Sequence, residues 1–346
     1  MKILPLLLAV VLLSSCKNDE PVTPGDEKVP SINRGIFILN EGDFSGATKA
    51  SLSVYDSQND KLYHNAFESA NQGASLGTVG DDMRFYNGKA YIVMSGSDRL
   101  VVVSQSNYTQ LQYVDLPNAD PHDLLIDSVR GNIYVTRLFR RSVAVLNLQT
   151  LATVGDTIPV GGSPQGMALV GNKVFVCNSG YGADSTISVI DAITPRVVGT
   201  IFTYYGPTGI ALAPDGRLWV TCTGKFGGAG RIVIINPTTN AVVDSILFAD
   251  NLSGPIAIGA DGYAYIIGGG GEGPVHRISL STMVVNLNFI SGSFYGLGFD
   301  DVAREIVVGD AKSFASDGEV RIYTTAGALR KTLPAKKAPA VFAFKR

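Results

Sequence analysis

Histidine and cysteine are scarce in this chain. Three histidines, His64, His122 and His276, are spread over 346 residues. That scatter argues against a metal shell or a histidine general base built from neighbouring motifs. Three cysteines, two of them beyond residue 16, leave room for one disulfide at most, so the fold is not a disulfide scaffold. Basic excess is missing as well: 28 Lys and Arg stand against 30 Asp and Glu, with no basic run. A nucleic-acid partner is therefore not expected. No segment of twelve or more residues sustains a 3.6-residue apolar period, which removes long helices. The apolar stretch over residues 3–13 is too short to span a bilayer as a helix.

That stretch has another use. Lys2, the apolar run and Leu13-Ser14-Ser15-Cys16 have the form of a bacterial lipoprotein signal, in which Cys16 takes the lipid and begins the mature chain. Acyl chains add about 0.8 kcal/mol per buried methylene, so such a chain is anchored to a membrane and does not cross it. Lys17-Asn18-Asp19-Glu20 resembles the short export signal of surface-exposed lipoproteins of the Bacteroidetes, which implies an outer-membrane protein facing the cell exterior. Residues 17–33 are polar and contain Pro21, Pro24 and Pro30, the composition of a flexible tether.

What the chain has in quantity is glycine, 39 residues, and a repeat. Asp82-Met83-Arg84-Phe85 recurs as Asp123-Leu124-Leu125-Ile126, Gly166-Met167-Ala168-Leu169, Gly209-Ile210-Ala211-Leu212, Pro255-Ile256-Ala257-Ile258, Gly296-Leu297-Gly298-Phe299 and Val341-Phe342-Ala343-Phe344. Seven copies at intervals of 41 to 46 residues predict an all-β, seven-bladed β-propeller over residues 34–346. Asn87-Gly88, Gly131-Asn132, Gly171-Asn172 and Asp215-Gly216 supply the tight turns between the first two strands of a blade. Residues 35–40, 51–56 and 61–67 match second, third and fourth strands without a first. Residues 339–344 supply it, so both chain ends close one shared blade and remove two exposed sheet edges.

The opening Gly35-Ile36-Phe37-Ile38-Leu39-Asn40-Glu41-Gly42, followed by Ala50-Ser51-Leu52-Ser53-Val54-Tyr55-Asp56, resembles the surface propellers of the Bacteroidetes related to the YncE group, in particular the BtuG-type lipoproteins. Lys49 departs from the small polar residue expected before Ala50. The resemblance implies a lipoprotein that captures cobalamin or a related corrinoid and passes it to a TonB-dependent transporter of the BtuB type. It implies no catalysis and no cofactor beyond that bound ligand.

Loops between second and third strands, and between blades, emerge on one face of a propeller, around the channel mouth. Here they carry large aromatic residues among small ones: Phe44, Phe139, Tyr181, Tyr205, Phe226, Phe294 and Tyr295. Rigid apolar rings of this kind suit a flat ligand; the alternative is that each packs on a neighbouring loop. Arg137 and Arg140 flank Phe139, and guanidinium forks match phosphate or carboxylate oxygens. A solvated charged loop is the competing reading. His122 and Asp123 start a first strand at the mouth, where they could orient a ligand, while Asp81 and Asp82 stand near them by the same alignment.

Gly268-Gly269-Gly270-Gly271 follows a strand but opens no helix, so it is not a nucleotide-phosphate loop. Cys177 and Cys222 end second strands in adjacent blades, as a disulfide or as two buried thiols. Three function classes remain: corrinoid capture, a propeller lyase or lactonase, and a protein-only adaptor. The aromatic, arginine-bearing mouth and the scarcity of histidine favour the first.

Overall fold

A computed structural model describes residues 28–346. Seven four-stranded antiparallel sheets form the expected seven-bladed propeller. Gly35–Asn40 pairs with Ser51–Asp56 on one side and with the C-terminal strand Pro339–Lys345 on the other, so the two chain ends share blade 1. Blade 2 begins with Gly80–Tyr86, blade 3 with Pro121–Asp127, blade 4 with Pro164–Val170, blade 5 with Pro207–Leu212, blade 6 with Leu252–Ile258 and blade 7 with Gly296–Asp300. These inner strands are the repeat, and they line the channel.

Second and third strands are buried on both faces. In Lys173–Asn178 and Thr186–Asp191 nine of the twelve residues are buried, because neighbouring blades cover each sheet. Tyr91 and Val93 of blade 2, for example, pack on Leu124, Ile133 and Val135 of blade 3. Each fully buried aliphatic or aromatic side chain contributes about 1.5–3 kcal/mol. Inner strands also approach backbone to backbone where the repeat reads glycine. A Cβ on Gly166 would stand 2.4 Å from the Thr208 carbonyl oxygen, and one on Gly209 2.1 Å from that of Gly254. Glycine there is a close-approach residue.

Six of the seven inner strands carry a register irregularity close to the loop face: Gly80/Asp82, Pro121/Leu124, Pro164/Met167, Pro207/Gly209, Leu252/Ile256, and in blade 1 opposite Leu39/Asn40. Bulges twist a strand and re-aim its side chains. In blade 2 the residue left unpaired is Asp81, and in blade 3 His122 and Asp123.

One expectation meets a different outcome. The fourth strand of blade 1 ends at Tyr63, and Phe67, 1% exposed, lies instead in a short helix, Ala66–Ala70. The tether over 17–33 lies largely outside the described residues. Within its described part Val29 and Ile32 are buried, and the Tyr108 hydroxyl donates to the Pro30 carbonyl at 2.8 Å. Cys177 and Cys222 are two free, buried thiols in one inter-blade cluster. The signal segment and Cys16 lie outside the described residues.

Candidate functional site

The loops between second and third strands form short one-turn elements at equivalent places: Ser95–Ser97, Leu138–Arg140, Gly180–Gly182, Lys225–Gly227 and Lys312–Phe314. Carboxylates bind them to the loops between blades. Asp98 accepts the backbone N–H groups of Asn118, Ala119 and Asp120 at 2.8–2.9 Å, and Asp184 accepts that of Gly162 at 2.7 Å. The rim is thus a stitched surface whose protruding side chains are held in place.

Four predicted rings stand free on it. Phe44 is 78% exposed, Phe139 68%, Tyr181 60% and Phe226 72%. Tyr181 and Phe226 have left-handed backbones, φ 52° and 48°. That region is unfavourable for bulky residues, of order 1–3 kcal/mol each. Their loops touch: the position of a Gly182 Cβ lies 2.6 Å from the Phe226 nitrogen.

The other predicted residues divide. Tyr205 is half-buried, edge-on to Tyr204 at 5.9 Å, with Lys225 Nζ 5.0 Å over its ring. Arg140 Nε donates to the Asn118 carbonyl at 2.9 Å, so this arginine braces the rim. Arg137 is half-buried, and burial together with Arg140 depresses its pKa. A depression of about 360 Å³ lies between Phe139, Arg140, Asp98 and Asp120. Phe294 departs from expectation: it closes the long strand Val285–Phe294, is 0% exposed and packs edge-on to Tyr323 at 6.3 Å between blades 6 and 7. Its ring is core, because the strand extends through what the sequence suggested was loop. Tyr295 turns toward the mouth and meets Phe314 edge-on at 5.0 Å.

Below the rim the channel opens into a cavity of about 270 Å³. Asp81, Arg84, His122, Asp123, Gln165 and Met167 are among its lining residues. In this throat Arg84 Nε donates to Asp82 Oδ2 at 2.9 Å, and Nη2 donates to Asp123 Oδ1 at 3.2 Å. Asp123 Oδ2 accepts the Met167 N–H at 2.6 Å, and Asp82 Oδ2 also accepts the Leu124 N–H at 3.2 Å. Burial first, then the Asp82 charge, push the Asp123 carboxyl well above the carboxylate range, and Arg84 opposes them. The arginine is held protonated chiefly by Asp82, then by Asp123. Both Asp123 oxygens are spent on this network, so Asp123 braces the channel and leaves ligand contact to its neighbours.

The mouth above is different. Glu41, 4% exposed, has its carboxyl raised to about 7, mainly by burial and secondarily by Asp81, with Tyr295 easing the ionised form. Asp81 is raised to about 6 by burial, with His122 as the compensating charge. Glu41 and Arg84 were not among the expected site residues. Arg84 had a signal: other copies of the repeat read Leu125, Ala168, Ala211, Ala257, Gly298 or Ala343 at its position, so a charge there marks the channel. Glu41 sat inside the opening motif, most of which is a clasp. Asn40 Nδ2 donates to Ser51 Oγ at 3.3 Å and Ser53 Oγ at 3.0 Å, and Asn40 Oδ1 accepts the Lys336 N–H at 3.1 Å.

The chain belongs to the family described as Domain of unknown function (DUF5074), whose model matches residues 34–324. No curated protein matches the sequence. Among solved structures it is similar to a quinonprotein alcohol dehydrogenase-like protein of Bacteroides thetaiotaomicron, at 16% identity and TM-score 0.72, over 91% of this chain and 79% of that one. It is similar to hydrazine synthase of Kuenenia stuttgartiensis, at 18% and 0.63, over 73% and 85%. A third likeness is to the dihydro-heme d1 dehydrogenase NirN, at 12% and 0.60, over 92% and 76%. At such identities these likenesses describe the propeller fold.

Proposed function

We propose that this propeller binds a flat, polar-edged small molecule on its aromatic rim without transforming it, the ligand being cobalamin or a related corrinoid. In this reading the chain, anchored through Cys16 to the outer membrane and facing outward, delivers its cargo to a TonB-dependent transporter of the BtuB type. One observation carries it: Phe44, Phe139, Tyr181 and Phe226 are all at least 60% exposed on one stitched rim, two of them on strained backbone. A ring projected into solvent contributes little to packing, whereas a rigid apolar platform loses little freedom on binding. Arg137 is available beside Phe139 for a phosphodiester.

Nanomolar capture needs about −12 kcal/mol. Titration calorimetry of residues 28–346 with cyanocobalamin tests the reading. One-to-one binding that weakens at least tenfold in Phe139→Ala and in Phe226→Ala is expected. Absence of heat, with an unshifted visible spectrum, would transfer the rim to the adaptor or enzyme readings.

A further inference from the structure

The mouth holds an imbalance of charge and of hydrogen bonds. Burial first, and then the charges of Glu41, Asp81 and Glu272, raise the pKa of the Tyr295 phenol; burial first, and then Asp120 and Asp81, raise that of Tyr181. Four carboxyl groups from four parts of the ring thus stand within electrostatic reach of two tyrosines, and the Gly80 N–H donates to the Glu41 carbonyl at 3.4 Å, which sets Asp81 beside Glu41. Glu41 Oε2 and Glu272 Oε1 are buried and have no donor in the protein, and neither has Asn251 Oδ1. A buried acceptor without a donor costs about 1–3 kcal/mol, and such groups in a folded protein call for an outside partner.

Resident cations do not supply it. Lys337 is paired with Asp43 at 3.3 Å, Lys336 with Asp317 at 3.4 Å, and Lys312 with Asp310 and Glu319 at 3.2 and 3.1 Å. Arg84 is committed to the throat. His122, beside Asp81 and Asp120, is the basic group whose charge reaches the mouth. Among the described residues no three His, Cys, Asp or Glu side chains are grouped to hold a metal ion. The occupant that fits carries its own N–H donors and a positive charge, and tyrosine rings favour such a cation further.

We propose that the channel mouth is a binding site for an organic primary ammonium group, which donates to Glu41 and Asp81 and lies between Tyr295 and Tyr181. The site stands on carboxylates below the rim and is independent of the corrinoid reading. The test is calorimetry with 2-phenylethylammonium against its neutral analogue 2-phenylethanol. At pH 8 the amine binds at least tenfold more tightly than the alcohol. That preference collapses at pH 5, where Glu41 and Asp81 are protonated. Glu41→Gln and Asp81→Asn each weaken the amine at least tenfold, with melting curves confirming that at least one variant is folded.

Equal affinity for amine and alcohol, affinity unchanged in a folded variant, or no binding of the amine at millimolar concentration would overturn the proposal. Cyanocobalamin titrated into the same samples separates the two readings: corrinoid binding without amine binding removes only the ammonium site, and the reverse removes only the corrinoid.

Discussion

Throat and mouth are two acidic regions of one channel, and they treat their carboxylates in opposite ways. In the throat Asp82 and Asp123 share one guanidinium and accept backbone N–H groups from Leu124 and Met167, so the cluster ties blades 2, 3 and 4 together. In the mouth Glu41 is as deeply buried but keeps an oxygen without a donor. A saturated buried network holds structure, and an unsaturated one costs stability unless something binds. The same functional group thus serves the ring in one place and waits for a ligand in the other.

The largest expected effect comes from removing what both regions rest on. Deleting residues 338–346 takes away the strand Pro339–Lys345 and opens blade 1. Loss of a cooperative urea transition is expected, and a truncated chain that still melts cooperatively would show that the ring does not need its closure. Next is Arg84→Ala, which leaves Asp82 and Asp123 facing each other. Removing one partner of a fully buried pair costs about 3–5 kcal/mol. With the Arg84 side chain 53% open to the channel, about 2 kcal/mol is expected by urea denaturation at pH 7. A neutral outcome would erase the distinction between throat and mouth.

Glu41→Gln should go the other way. The folded carboxyl, at about 7, lies above the ordinary 4.5, so the native state holds the extra proton between those values. Stability therefore falls as pH rises from about 4.5 to about 7, by about 2–3 kcal/mol. The glutamine variant should match the wild type near pH 4.5 and exceed it by up to that amount at pH 8, in parallel urea series. A wild type that is no less stable at pH 8 than at pH 4.5, with the variant tracking it, would mean that Glu41 is solvated after all. The smallest effect is expected at the rim: Phe139→Ala should alter stability by less than about 0.5 kcal/mol, since its ring is 68% exposed, while weakening the ligand.

Loop aromatics were legible because Phe44, Phe139, Tyr181 and Phe226 sit among small or charged residues between strand patterns. Phe294 misled because Ser291-Gly292-Ser293 reads as a turn, yet the pairing of Val285–Phe294 with Gly273–Ser279 carries the strand through it. Asp123 was placed at the mouth by alignment but turned to Arg84, a partner 39 residues earlier.

By itself the sequence determined the repeat, the tight turns and the sharing of blade 1 between the chain ends. Those follow from local turn chemistry and from a period that each blade restates. Only the tertiary structure decided which polar groups are spent and which are left over. Saturation of a carboxylate depends on donors that the ring brings from other blades: Glu41 meets Tyr295 from the far end of the chain and Asp81 from the next blade. No local pattern encodes that meeting, because the distances that set it exist only once the ring is closed.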